Sequence, residues 1–218
     1  MINKVMKSYP LQVFRHRVYL PWLSMLGHIG DIKRNISTEL ISKVAISGAA
    51  AQSWQMVNRA ETTSYVCLKT NLTFAKNLGF DKFLDIGCGL GRSLIVANEL
   101  GFFDLNGVDI SDKIISKCRK NMIKVGISPS LSCSDVDNFE IPAGKLVIYL
   151  FNPFGEERMR DLVTKLVLRE QETLVIYQNP KHFECFKNLS KINTHVWNHF
   201  GLYQEKAFIY LIPAKLKN

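Results

Sequence analysis

The chain has 218 residues, a formal charge of +9, 47% hydrophobic residues and five cysteines. That length and apolar content suit one globular domain, or one domain with an appendage. No stretch reaches the roughly 18 uninterrupted apolar residues of a bilayer-spanning helix, so a soluble protein without a transmembrane segment is expected. The cysteines are odd in number and scattered, without a CxxC pair, which excludes a disulfide framework and a zinc site and points to a reducing, cytoplasmic setting. The five histidines add no ligand spacing suited to a metal.

The first sixty residues differ in texture from the rest. Residues 1–60 hold eight Lys or Arg against Asp31 and Glu39, a charge of +6, while the remaining residues carry only +3. An aromatic-rich section from Pro10 to Pro21 precedes a helical pattern from about Ile36 to Asn58, which Gly48-Ala49-Ala50-Ala51 interrupts. We read 1–60 as a basic, helical N-terminal extension or substrate cap, able to touch an anionic surface, and 61–218 as the catalytic domain.

From Lys82 onward short β-rich runs alternate with segments of helical period. Phe83–Ile86 reads as a first strand and Arg92–Leu100 as the helix after it. Leu105–Asp109 is a second strand, followed by a helix from Ser111 to Val125 with Ser111 as N-cap. Leu131–Ser134 is a weak third strand, and Lys145–Phe151 a fourth whose apolar run suits burial on both faces. Glu156–Leu168 is helical, Thr173–Tyr177 is a fifth strand, and a short helix is expected around His182–Leu189. Thr194–Phe200 and Lys206–Ile212 close the chain as an antiparallel hairpin. The expected fold class is therefore α/β, a mostly parallel seven-stranded sheet with helices on both faces.

The chemistry concentrates where the first strand ends. Asp85-Ile86-Gly87-Cys88-Gly89-Leu90-Gly91 is a tight glycine turn that opens a helix, a place where backbone approaches a ligand closely. A dinucleotide fingerprint requires its third glycine where Arg92 stands, which disfavours NAD or FAD. Asp85 points the same way, because a carboxylate there repels a pyrophosphate and suits a ligand with an ammonium group, such as S-adenosylmethionine. Asp109, eighteen residues beyond Gly91 and at the end of the second strand, is placed to accept both hydroxyl hydrogens of a ribose. Asp135 follows the third strand, with Asp137 as a competitor. Cys88 reads as a small filler rather than a nucleophile, since no histidine lies near it in sequence.

The ordered series FLDIGCGLGR (83–92), GVDIS (107–111), CSDV (133–136) and YLFNPF (149–154) resembles the motif series of class I, Rossmann-like, S-adenosylmethionine-dependent methyltransferases over residues 60–180. The resemblance implies that Asp85 with Gly87, Cys88, Gly89 and Gly91 holds the amino-acid part of the cofactor, Asp109 the ribose, and Asp135 with Val136 the adenine, with Ile110 packed on the ring. It also implies that Asn152, Pro153 and Phe154 floor the active site. That triplet is one proline short of the Asn-Pro-Pro-aromatic motif of amino-group methyltransferases, which displaces Phe154 from the family position. Thr62, Thr63 and Tyr65 match a segment that covers the cofactor in related enzymes, or else Thr62 or Thr63 caps the following helix. Tyr177 is a further candidate wall.

The expected activity is methyl transfer to a nitrogen on nucleic acid or protein. A small-molecule or lipid acceptor, a non-catalytic cofactor-binding module and aminopropyl transfer from a decarboxylated cofactor are the rivals.

Overall fold

The computed structural model describes residues 27, 29–38, 62–199 and 203–215. The Pro10–Pro21 section, the Gly48–Ala51 break and nearly all of the expected 36–58 helix lie outside these residues. Within the described part of the N-terminal segment, residues 29–32 are helical and 36–38 are not, so the helical pattern does not begin at Ile36. Asn35 turns the chain there with φ 54°, and the Ile36 N–H bonds back to the Asp31 carbonyl.

Seven strands form one sheet in the order β3-β2-β1-β4-β5-β7-β6. They are β1 (Lys82–Ile86), β2 (Asp104–Asp109), β3 (Ser130–Cys133), β4 (Leu146–Leu150), β5 (Thr173–Gln178), β6 (Ser190–His199) and β7 (Tyr203–Ile212). The first five run parallel, and β7 pairs antiparallel with both β5 and β6. The α/β reading, the parallel core and the closing hairpin therefore hold, although the hairpin strands are longer than the apolar runs that marked them. The extra residues of β6 alternate half-exposed with exposed, a pattern that burial-based reading passes over.

Strand alternation divides the interior into two layers. Phe83, Val147, Tyr149, Leu174, Ile176 and Ala207 pack against α1 (Tyr65–Asn77), α2 (Arg92–Glu99) and α3 (Asp112–Lys124). Leu84, Ile148, Leu150, Val175 and Tyr177 pack on the other face against Met159, Leu162 and Leu166 of α4 (Glu156–Val167) and against Phe186. The region expected as a helix around His182–Leu189 contracts to a 3₁₀ turn at Phe183–Phe186.

Two details of helix entry decide where the site lies. Ser111 caps α3 by accepting from the Ile114 N–H at 3.4 Å, as its position suggests. Ser64, and neither Thr62 nor Thr63, caps α1, accepting from the Cys67 N–H at 3.2 Å. Strand order reverses between β1 and β4, and the crevice at their carboxyl ends is the topological switch point where open α/β sheets bind ligands.

Candidate active site

A cavity of about 980 Å³, counted with its open mouth, occupies that switch point. Asp85, Gly87, Cys88, Gly89, Asp109, Ile110, Asp135, Val136, Asn152, Pro153 and Phe154 all line it. Gly91 shapes it from behind. There φ is +88°, and an added Cβ would lie 2.5 Å from Met122 Cε and 2.8 Å from Cys118 Sγ, so only glycine turns the loop into α2. Gly87, at φ +85°, brings the loop against the end of β4, where its Cβ position is 3.3 Å from Pro153 Cβ.

Asp85 is 5% exposed, and the Ser93 hydroxyl on the first turn of α2 donates to its Oδ2. Burial pushes its carboxyl up to about 7, against the Ser93 bond, and the nearby Asp109 adds to the rise. A buried carboxylate held this high gains strongly from a cation, which fits an ammonium group and not a phosphate. On β2, Asp109 accepts from the Gly89 N–H at 3.2 Å and the Ser111 N–H at 3.0 Å. Its carboxyl is also raised by burial, opposed by these backbone bonds. The loop amides thus aim Asp109 across the crevice beside Asp85.

The third acid is anchored by a residue that the sequence reading missed. Arg158, on the first turns of α4, lies 2.7 Å from Asp135 Oδ2 and 3.0 Å from Asp137 Oδ2. Arg158 and Asp135 line the cavity; Asp137 is exposed and does not. Asp135, rather than its competitor, is the acid of the site. A basic residue one turn into the helix after an Asn-Pro strand end carries no recognisable pattern, which is why it escaped notice.

The N-terminal segment also enters the site. Thr38 lines the cavity and is held there by buried partners. Its N–H and hydroxyl donate to Asp31 at 2.6 and 2.7 Å, and Arg92 Nε donates to the same hydroxyl at 2.7 Å. Arg92 reaches the Thr63 carbonyl at 3.2 Å and Asp31 at 3.5 Å, so one guanidinium ties segment 31–38 and residue 63 to the start of α2. Arg92 is thus more than the residue that breaks a dinucleotide fingerprint. Tyr65, expected over the cofactor, does not line the cavity. Its ring lies under the Arg34 and Arg92 guanidiniums at 4.4 and 4.8 Å, and its hydroxyl donates to Asp31 at 2.7 Å.

Thr62 and Thr63 do line the cavity, and the buried Thr63 hydroxyl lies 2.6 Å from the Tyr149 hydroxyl. Tyr149 sits beside Asp85 in the β1–β4 register, and burial holds its phenol well above the ordinary value. Tyr177 is no wall of this site, because strand alternation turns it to the opposite face, fully buried against Phe186 with its hydroxyl accepting from the His182 N–H. Phe151 takes that place. The Cys88 thiol is pushed well above its ordinary value by the Cys118 thiol and by burial, in keeping with a filler.

Asn152 is at φ 45° and is 5% exposed, with both ends of its carboxamide engaged. Nδ2 donates to the Asn179 carbonyl at 2.6 Å, and Oδ1 accepts from the Lys181 N–H at 3.1 Å. It cross-links the ends of β4 and β5. The lining at this end consists of Phe151, Pro153, Phe154 and backbone carbonyls.

Residues 83–167 match the sequence model of a methyltransferase domain. No curated protein matches the chain. Among solved structures, an RNA methyltransferase from Salinibacter ruber, in complex with S-adenosyl-L-homocysteine, superimposes with a TM-score of 0.56 at 18% identity, over 72% of this chain and 97% of that one. A magnesium protoporphyrin IX methyltransferase from Synechocystis PCC 6803 with bound S-adenosylmethionine gives 0.54 at 14% identity, over 75% and 91%. A ribosomal protein L11 methylase from Lactobacillus delbrueckii subsp. bulgaricus gives 0.52 at 14% identity, over 72% and 83%. At these identities the structures speak for a shared fold.

Proposed function

Residues 83–167 form a methyltransferase domain of the class I, S-adenosylmethionine-dependent family, and from that premise we propose that the chain transfers the methyl group to a nitrogen of a nucleic acid or protein. The observation that carries the reading is the set of three carboxylates, Asp85, Asp109 and Asp135, at the carboxyl ends of adjacent parallel strands around one cavity. Asp85 would hold the ammonium group of the cofactor, Asp109 the ribose hydroxyls, and Asp135 with Ile110 and Val136 the adenine.

The cofactor supplies an activated methyl carbon and its own leaving group, which leaves alignment to the protein. Phe151 and Phe154 wall the space beside Gly87, and the carbonyls of 151–153 face an approaching acceptor. Among the described lining residues the carboxylates are assigned to cofactor or to Arg158, so no strong base stands free at this end. A neutral nitrogen with its lone pair exposed meets that condition, whereas an alcohol does not. Asn152 acts by fixing the floor rather than by bonding the acceptor.

Calorimetric titration tests the cofactor assignment. The protein binds S-adenosylmethionine and does not bind NADH, and Asp109→Ala weakens the former about ten-fold or more through loss of hydrogen bonds to a carboxylate. Unchanged affinity in a folded Asp109→Ala protein refutes the ribose role. Labelled methyl uptake into protein and RNA fractions, followed by mass spectrometry, tests the acceptor; methyl on oxygen or sulfur alone refutes the nitrogen reading.

A further inference from the structure

The sheet face under α1 carries a polar relay that the cofactor crevice does not use. It begins at a backbone group: the Thr194 N–H donates to Asn193 Oδ1 at 2.7 Å, which leaves Asn193 Nδ2 to face His195 Nε2 at 3.2 Å. His195 Nε2 must then accept, so the ring hydrogen is on Nδ1, which donates to Asn71 Oδ1 at 2.7 Å. Burial lowers the His195 pKa, in keeping with a neutral ring. Asn71 has its Nδ2 left to offer, and it donates to Gln178 Oε1 at 3.1 Å. Each partner fixes the orientation of the next, from a backbone amide whose direction is not free.

The relay ends on Gln178 Nε2. Gln178 and Asn71 are wholly buried, yet Nε2 has no hydrogen-bond partner among the described residues, and no other buried side-chain nitrogen or oxygen there lacks one. A donor held in place by four preceding bonds and then left without an acceptor is unfavourable unless something supplies an oxygen.

Its position says what that is. Leu174 and Ile176 of β5 face α1, so Gln178 faces α1 at the carboxyl end of the same strand. Tyr149 pairs with Ile176, which puts Phe151 of the crevice wall next to Gln178. On the other side Gln178 pairs with Ala207, a side chain too small to fill the row. Two residues along β7, the buried Glu205 carboxylate accepts from Cys67 Sγ at 3.3 Å. A negative charge on this face disfavours a carboxylate or phosphate as the incoming oxygen and favours a neutral one.

We propose that the Gln178 carboxamide is a recognition group for the methyl acceptor, donating to a neutral carbonyl oxygen adjacent to the nitrogen that is methylated. The proposal rests on the methyl-transfer reading and adds to it the chemical class of the acceptor, a planar amide or imide. Asn71, His195 and Asn193 are positioning residues that hold Gln178 with its donor outward.

The test is nuclear magnetic resonance on the full chain labelled with ¹⁵N, with the Gln178 side-chain amide assigned by its loss in Gln178→Met. Titration with N-methylacetamide, a neutral amide, moves that resonance saturably. Acetate binds at least about ten-fold more weakly, and Gln178→Met weakens N-methylacetamide about ten-fold, as expected for one lost hydrogen bond. A resonance that stays fixed through the titration, equal response to acetate, or a bound-water cross-peak that persists at the highest amide concentration overturns the proposal. S-adenosylhomocysteine added to the same sample reports separately through the backbone amides of Gly87 and Gly89. Silence there refutes the methyl-transfer reading, whatever Gln178 does.

Discussion

Cofactor affinity should follow the ionisation of Asp85. In the free protein its carboxyl sits at about 7 because it is buried, and the cofactor's ammonium group requires the ionised form. Ionised Asp85 amounts to roughly 3% at pH 5.5 and about one half at pH 7, so S-adenosylmethionine should bind about fifteen-fold more tightly at the higher pH. Calorimetry at pH 6 in two buffers of different ionisation enthalpy should count nearly one proton released per cofactor bound. The free protein should show the opposite trend in stability. A carboxyl raised from 3.8 to about 7 favours the folded state below the unfolded value, and that contribution is lost as pH rises through 7. The free protein should therefore lose about 2 kcal/mol from this group between pH 5.5 and 7.5, read by urea unfolding. Asp85→Asn should abolish both trends. A flat binding profile in the wild type, or an unchanged acidic limb in Asp85→Asn, refutes the pairing of Asp85 with the cofactor's cation.

Three substitutions probe the supports of the site. Arg92→Leu strands the buried Asp31 carboxylate and should cost about 3–5 kcal/mol of stability, measured by urea unfolding, with segment 31–38 becoming sensitive to limited proteolysis. Arg158→Gln leaves Asp135 and Asp137 facing each other without their shared cation; S-adenosylhomocysteine affinity should fall about ten-fold by titration, with melting temperature little changed. Asn152→Ala removes two bonds and places alanine at φ 45°, so stability should fall by about 2–3 kcal/mol by chemical denaturation. A folded, fully stable Asn152→Ala protein that binds cofactor but transfers no methyl would restore Asn152 to direct contact with the acceptor.

The parts legible in the sequence were those written in local pattern. β1, β2 and β4 show as apolar runs because both of their faces are buried, and the glycine loop shows because φ near +88° at Gly91 admits little else. The spacing of Asp85 and Asp109 is set by one strand–helix–strand unit, and Asp135 follows the next strand. The supports were not legible, since Arg92 with Asp31, Thr63 with Tyr149 and Asp135 with Arg158 are joined across 61, 86 and 23 residues. Nor does composition tell which face a tyrosine takes. Tyr149 and Tyr177 both end apolar strands, yet a shift of one in alternation sends the first to the cofactor and the second into the opposite core.

The two Asn-Pro pairs show how a pattern can be visible while its meaning depends on topology. Asn152 and Asn179 both adopt positive φ, at 45° and 46°, and each ends a parallel strand. Asn152 bonds the Asn179 carbonyl and the Lys181 N–H, while the Asn179 N–H donates to the Lys206 carbonyl at 2.7 Å and its Oδ1 accepts from the Lys206 N–H at 3.3 Å. The repeated dipeptide thus sews β4 to β5 and β5 to β7 at the carboxyl edge, on the acceptor side of the switch point. Because these turns consume the asparagine amides, recognition at this edge falls to groups they leave unconsumed, namely backbone carbonyls, the rings of Phe151 and Phe154, and Gln178. A rigid floor with so few free hydrogen-bonding groups selects by shape and by one oriented donor, which suits a flat, neutral nitrogen acceptor better than a flexible charged one.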